Sequence, residues 1–152
     1  IDRTVKMPPS MLSQSWMGTD IKNDDLLESS NKKDDFNKEI TGEFVIEGLP
    51  CYRIRLTPKK EVNSIWGKIV IWISKENFLQ MQVMYFDEDM ELVNTFFGSQ
   101  VKELDGLLMP TVNTIVPAKK KGHKTKMEIT KRIVNLEIDD QIFTTQYIKR
   151  LK

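Results

Sequence analysis

From residue 36 onward, apolar and polar positions alternate with a period of two, which is the pattern of strands rather than helices. The alternation predicts strands at about 37–47, 50–57, 65–74, 77–86, 91–104, 107–117 and 124–136. Turn chemistry separates them at Glu47-Gly48-Leu49-Pro50, Ser74-Lys75-Glu76-Asn77, Asp87-Glu88-Asp89-Met90 and Leu104-Asp105-Gly106. Links this short favour a meander in which each strand pairs with the next. One continuous antiparallel sheet over 37–136 is therefore expected, followed by a short closing helix at 141–148. The class is mainly β (α+β).

A sheet wetted on one side carries apolar residues only at alternate positions. Several strands here do not. Ile65, Ile69, Ile71 and Ile73 fall on one face of their strand, and Trp66, Val70 and Trp72 on the other. In the next strand Leu79, Met81, Val83 and Tyr85 share a face, opposite Phe78, Met84 and Phe86. Phe96 and Phe97 also point to opposite sides. Both faces need apolar cover, and two short helical segments are too few to supply it. The remainder falls to residues upstream of this chain, to another chain, or to a ligand.

Residues 1–35 read differently. Ile1 to Lys6 alternates like a strand already under way, so residues upstream are expected. Met7-Pro8-Pro9-Ser10 interrupts regular structure, because proline lacks a donor and restricts the residue before it. The apolar residues Leu12, Trp16 and Met17 follow without clean periodicity. Asn23 or Asp24 can cap a short helix through Asp25-Leu26-Leu27-Glu28. Such a segment joined to a sheet is either a lid over a binding surface or a surface excursion with a few anchoring side chains.

Composition changes this picture little. The chain has 152 residues, one domain's worth, with 39% hydrophobic and 30% charged residues. Its 23 basic and 22 acidic residues leave a net charge of +1, which argues against nucleic acid as a partner. Eight methionines suit a surface that adapts to flexible apolar ligands. Cys51 is the single cysteine, so an intramolecular disulfide and a cysteine-based metal site are excluded, and it reads as a buried, inert thiol. His123 is the single histidine and has no neighbouring nucleophile or orienting carboxylate in sequence. Asp20, Asp24, Asp25, Glu28, Asp34 and Asp35 fit no calcium loop, and caps and solubility account for them. The basic run at 119–126 reads as a solvated hairpin tip, or as a docking point for anionic head groups or an acidic partner. No catalytic set, metal site or cofactor is expected.

An ordered series of local motifs carries more. Arg3-Thr4-Val5 precedes Trp16-Met17-Gly18-Thr19-Asp20 and Asn23-Asp24-Asp25-Leu26. Gly48-Leu49-Pro50-Cys51-Tyr52-Arg53-Ile54, Trp66-Gly67-Lys68-Ile69-Val70-Ile71-Trp72, Tyr85-Phe86-Asp87-Glu88-Asp89 and Met109-Pro110-Thr111 follow in turn. The series resembles bacterial outer-membrane lipoprotein-sorting proteins of the LolA-like superfamily, over nearly the whole chain and over the C-terminal portion of the family. The resemblance implies a curved antiparallel meander forming a half-open barrel, with short helices or a loop as a lid over an apolar cavity. Residues 1–35 would hold a partial strand and the lid, and 36–152 the sheet and closing helix, as one domain fragment. It also implies a periplasmic, non-catalytic carrier of a lipid or acylated lipoprotein, with envelope membrane proteins as possible partners. On that reading Trp66, Val70, Trp72, Met81, Val83, Tyr85 and Phe97 contact the ligand, and Leu12, Trp16 and Met17 belong to the lid. The alternative is an interaction module whose apolar sheet face packs on a partner or its own copy. One departure stands out: Met90 occupies a turn position where relatives tend to carry glycine.

Overall fold

Seven strands form where the period-two pattern runs. The structure, a computed structural model, describes residues 8–11, 14–23, 34–62 and 64–150. The strands are β1 (Phe36–Ile46), β2 (Leu49–Pro58), β3 (Lys68–Ser74), β4 (Gln80–Phe86), β5 (Leu92–Leu104), β6 (Leu107–Pro117) and β7 (Thr125–Glu128). They make one sheet in the order β1-β2-β3-β4-β5-β6-β7, each neighbour antiparallel. The sheet does not close on itself. Its outer strands are β1 and β7.

Three boundaries depart from the alternation pattern. Residues 65–67 form a loop, because Ser64 accepts from the Trp66 amide through its hydroxyl and turns the chain before β3 begins. Residues 77–79 belong to the β3–β4 turn, where Phe78 has φ 53. Beyond Glu128 the ladder ends after the Ile129 amide donates to the Thr111 carbonyl. Side chains then hold the following segment: the Val134 amide donates to the Asp105 carboxylate at 2.7 Å, and Arg132 Nη1 approaches Met109 Sδ at 3.2 Å. The expected closing helix is a 3-10 turn at Asp140–Phe143 and the short helix α1 (Thr145–Ile148), capped by Asp139 and Thr144. The proposed helical stretch at 24–28 lies outside the described residues.

Of the three register shifts in the ladders, those in β1 and β4 decide which side chains share the face of the site. Ile40 pairs with Ile54 and Gly42 with Arg53, so Thr41 is an extra residue on β1. Trp72 pairs with Gln82 and Ile73 with Gln80, so Met81 is extra on β4. One core gathers Phe36, Trp66, Ile69 and Val83, packed by Leu56, Ile71, Tyr85, Val93 and Phe96. The other gathers Cys51, Trp72 and Met81, packed by Leu49, Val70, Leu79, Met84 and Val101. Ile69 and Ile71 alternate with Val70 and Trp72 along β3, so the cores lie on opposite faces. Apolar side chains thus lie on both faces, as the alternation implied, but three face assignments change. Leu79 and Met81 leave Val83 and Tyr85 for the Trp72 face, because the bulge breaks strict alternation. Trp66 leaves the Trp72 face for the Ile69 face, because it precedes the strand.

Candidate functional site

On the Trp72 face a groove of about 360 Å³ opens across β1 to β4. Its floor is Val70 and Trp72 of β3 with Met84 of β4; its other wall carries Thr41, Arg53, Arg55 and Lys68. Strand geometry puts these residues together. Arg53 and Arg55 are two apart on β2 and so project to one side, opposite Trp72 and Val70 in the ladder. Lys68, Val70 and Trp72 follow the same rule on β3, and Met84 lies opposite Val70 on β4.

The cations of the groove are held in different ways. Arg55 Nη2 meets Glu39 Oε2 at 2.6 Å, an exposed ion pair across β1 and β2. Arg53 is turned onto the bulge instead. Its Nε donates to Thr41 Oγ1 at 2.9 Å and its Nη2 to the Thr41 carbonyl at 3.1 Å. The guanidinium carbon stands 4.6 Å from the centroid of Phe44, which meets Trp72 edge to face at 6.4 Å. Lys68 Nζ lies 3.9 Å from the centroid of Phe86. Arg53 and Lys68 therefore face aromatic rings and have no carboxylate partner among the described residues.

The expected ligand residues divide between the faces. Val70 and Trp72 line the groove, and Met81 lies fully buried in the same core. Phe97, opposite Gln82 and 39% exposed, continues that face onto β5. Trp66, Val83 and Tyr85 form the opposite core, with the Trp66 and Tyr85 rings 4.8 Å apart. Trp66 Nε1 is buried there without a hydrogen-bond partner among the described residues. Sequence reasoning did not single out Arg53, Arg55 or Lys68. The available signal was Arg53-x-Arg55 inside an apolar strand, which must place two guanidinium groups on one face.

Residues 14–23 form a small hairpin closed by the Trp16 amide on the Ile21 carbonyl and the Asn23 amide on the Gln14 carbonyl. Met17, at its tip, is 82% exposed and Trp16 is partly exposed, while Ile21 is the buried anchor. Leu12 lies outside the described residues. Asp20 ties the hairpin to the β6–β7 connection: its amide donates to Thr125 Oγ1, that hydroxyl donates to Asp20 Oδ2, and Lys120 Nζ donates to Oδ1 at 3.0 Å. The Lys120 hydrogen bond is the main reason the Asp20 carboxyl titrates below its ordinary value. Lys119, in the same basic run, pairs with Glu91.

Among the described residues the single cysteine and the single histidine lie apart. Burial pushes the Cys51 thiol up, and its Sγ lies 3.3 Å from the Leu49 carbonyl. His123 sits exposed in the connection after β6, where its amide bonds to the Lys120 carbonyl. Among the described residues no group of three or more His, Cys, Asp and Glu converges on a metal position. No described helix is long and apolar enough to cross a membrane.

Residues 1–150 match a protein family described as "Uncharacterized protein". No curated protein matches the chain. Among solved structures, a DUF1329 family protein from Desulfovibrio piger is 25% identical, with a TM-score of 0.75 over 92% of this chain and 57% of its own. A putative outer membrane lipoprotein-sorting protein domain from Vibrio parahaemolyticus is 19% identical, with a TM-score of 0.74 over 92% and 58%. A LolA superfamily protein from Nitrosomonas europaea is 20% identical, with a TM-score of 0.62 over 97% and 64%. This chain thus spans about 57–64% of the length of those proteins.

Proposed function

The chain belongs to the family matched over residues 1–150 and has a LolA-like fold, and from that premise we propose that it is a non-catalytic carrier of a lipid or an acylated lipoprotein in the periplasm. The observation that carries this reading is the groove floored by Val70, Trp72 and Met84. At about 360 Å³ it lies at the low end of small-molecule sites, which run from about 300 to 1,000 Å³. An acyl chain binds such a floor through burial alone, at about 0.8 kcal/mol per methylene. Phe97 extends the apolar surface toward β5. On this reading the opposite core of Trp66, Val83 and Tyr85 supports the sheet, and membrane proteins of the envelope deliver and receive the cargo.

The test is native mass spectrometry of the chain purified without detergent, followed by titration with a fluorescent fatty-acyl probe. Retained lipid and saturable probe binding, weakened in Trp72→Ala with the sheet intact, are the expected results. Absence of both would refute the carrier.

A second reading, a protein interaction module, draws on the C-terminal segment. There Ile133, Leu136, Ile138 and Phe143 are 57%, 62%, 53% and 72% exposed along one stretch of chain. A clean dimer without lipid in the same measurement would favour it.

A further inference from the structure

The groove is not merely apolar. Among the described residues Arg53, Lys68 and Lys75 are the half-buried cations, and of these Lys75 meets a carboxylate, that of Glu43. Arg53 and Lys68 line the groove over the faces of Phe44 and Phe86, with no carboxylate partner among the described residues. A half-buried cation without a counter-charge is held at a cost in desolvation, which an aromatic ring offsets only in part. Arg53 is also fixed in place, since two of its nitrogens are bound to Thr41 on the bulge. That leaves a prepared donor facing the groove rather than a side chain that swings away into solvent.

We propose that the groove takes an amphiphile with an anionic head, a phosphate or carboxylate meeting Arg53 and Lys68 while its hydrocarbon chain lies on Val70, Trp72 and Met84. This rests on the carrier reading and narrows it to charged single-chain lipids or the acidic end of a larger one. The two halves of the lining select jointly. A free anion gains nothing from the tryptophan and methionine floor, and a neutral lipid leaves both cations unmatched. Arg55 contributes less, because Glu39 already occupies it. Charge-assisted hydrogen bonds to a phosphate or carboxylate are the stronger class, so the head group sets the preference and the chain supplies the bulk of the contact.

The experiment compares decyl phosphate, decanol and inorganic phosphate as ligands of the wild-type chain, read by tryptophan fluorescence at low and high salt. Decyl phosphate is expected to bind about tenfold or more tightly than decanol, with the preference shrinking as salt is raised. Lys68→Gln and Arg53→Gln should each lower affinity for decyl phosphate and leave decanol binding unchanged, with far-UV circular dichroism confirming the sheet. Because Arg53 also anchors β1, Lys68→Gln carries the test if Arg53→Gln fails to fold. Equal affinity for decyl phosphate and decanol overturns the anionic head and leaves the carrier standing. No binding of either overturns the carrier and this inference with it. Displacement of decyl phosphate by inorganic phosphate at a comparable concentration overturns the amphiphile and makes the groove a simple anion site.

Discussion

At position 90 the backbone turns with φ 63, a left-handed conformation that costs an ordinary side chain about 1–2 kcal/mol. The turn is otherwise well made, with Asp87 and Glu91 exchanging a backbone bond and Asp87 Oδ1 accepting from the Glu91 amide. Met90 itself is more than half exposed and contributes little packing. Met90→Gly is therefore expected to stabilise the chain by about 0.5–1 kcal/mol, the relieved strain exceeding the added freedom of the unfolded chain. Urea denaturation measures it, and a loss of stability would show that the methionine is needed for contact. Position 67 has the opposite sign. A Cβ on Gly67 would sit 2.4 Å from the Asp87 carbonyl oxygen, with backbone rather than a yielding side chain in the way. Gly67→Ala should cost about 1–3 kcal/mol in the same measurement. Cys51 is fully buried with its thiol pushed up, so a water-soluble disulfide reagent should modify it no faster than the chain unfolds. Rapid labelling in native buffer would mean that the core around Trp72 and Met81 opens.

Among the elements, the Asp20 clasp is the most sensitive to conditions. Its carboxyl titrates below the usual value near 3.8, chiefly through Lys120, with burial acting in the opposite direction. A folded-state value below the unfolded one adds stability above that unfolded value and loses it as pH falls through the folded one. Acidification below about pH 4 should loosen the 14–23 hairpin from the β6–β7 connection before the sheet melts, and Asp20→Asn should weaken the same tie at neutral pH. Hydrogen exchange of residues 15–22, compared with β4 and β5, reads both; equal protection across that pH range would exclude the clasp. The sheet elements were legible in sequence because each strand has its own alternating run and its own turn residues. The bulges at Thr41 and Met81 were not, since an extra residue in a ladder leaves no mark on composition. Those two residues decide the site: one anchors Arg53, and the other moves Met81 to the Trp72 face. The expected ligand set consequently divides between two faces.

For the whole molecule, the decisive feature is that strand order follows chain order without exception. Among the described strands none crosses over another and each pairs with its neighbours in sequence, so the contact order of this sheet is low for an all-β one. Loop-closure entropy is modest at each step, because the links run from two residues between β1 and β2 to nine between β2 and β3. The β5–β6 ladder, running from Asn94 opposite Pro117 to Leu104 opposite Leu107, is as long as that of β1–β2, and because both of its strands are inner ones while β1 is an edge, it is the natural nucleus. Ile115→Ala in β6 should then slow folding, whereas Phe36→Ala in β1 should mainly hasten unfolding. Stopped-flow chevrons of the two variants decide it, and similar φ-values would exclude a nucleus in that hairpin. Growth from such a hairpin proceeds outward in both directions, one strand at a time, like a zip with two sliders. A chain threaded through a pore from either end can therefore begin to fold on whatever has already emerged, without holding an unpaired strand in reserve for a distant mate.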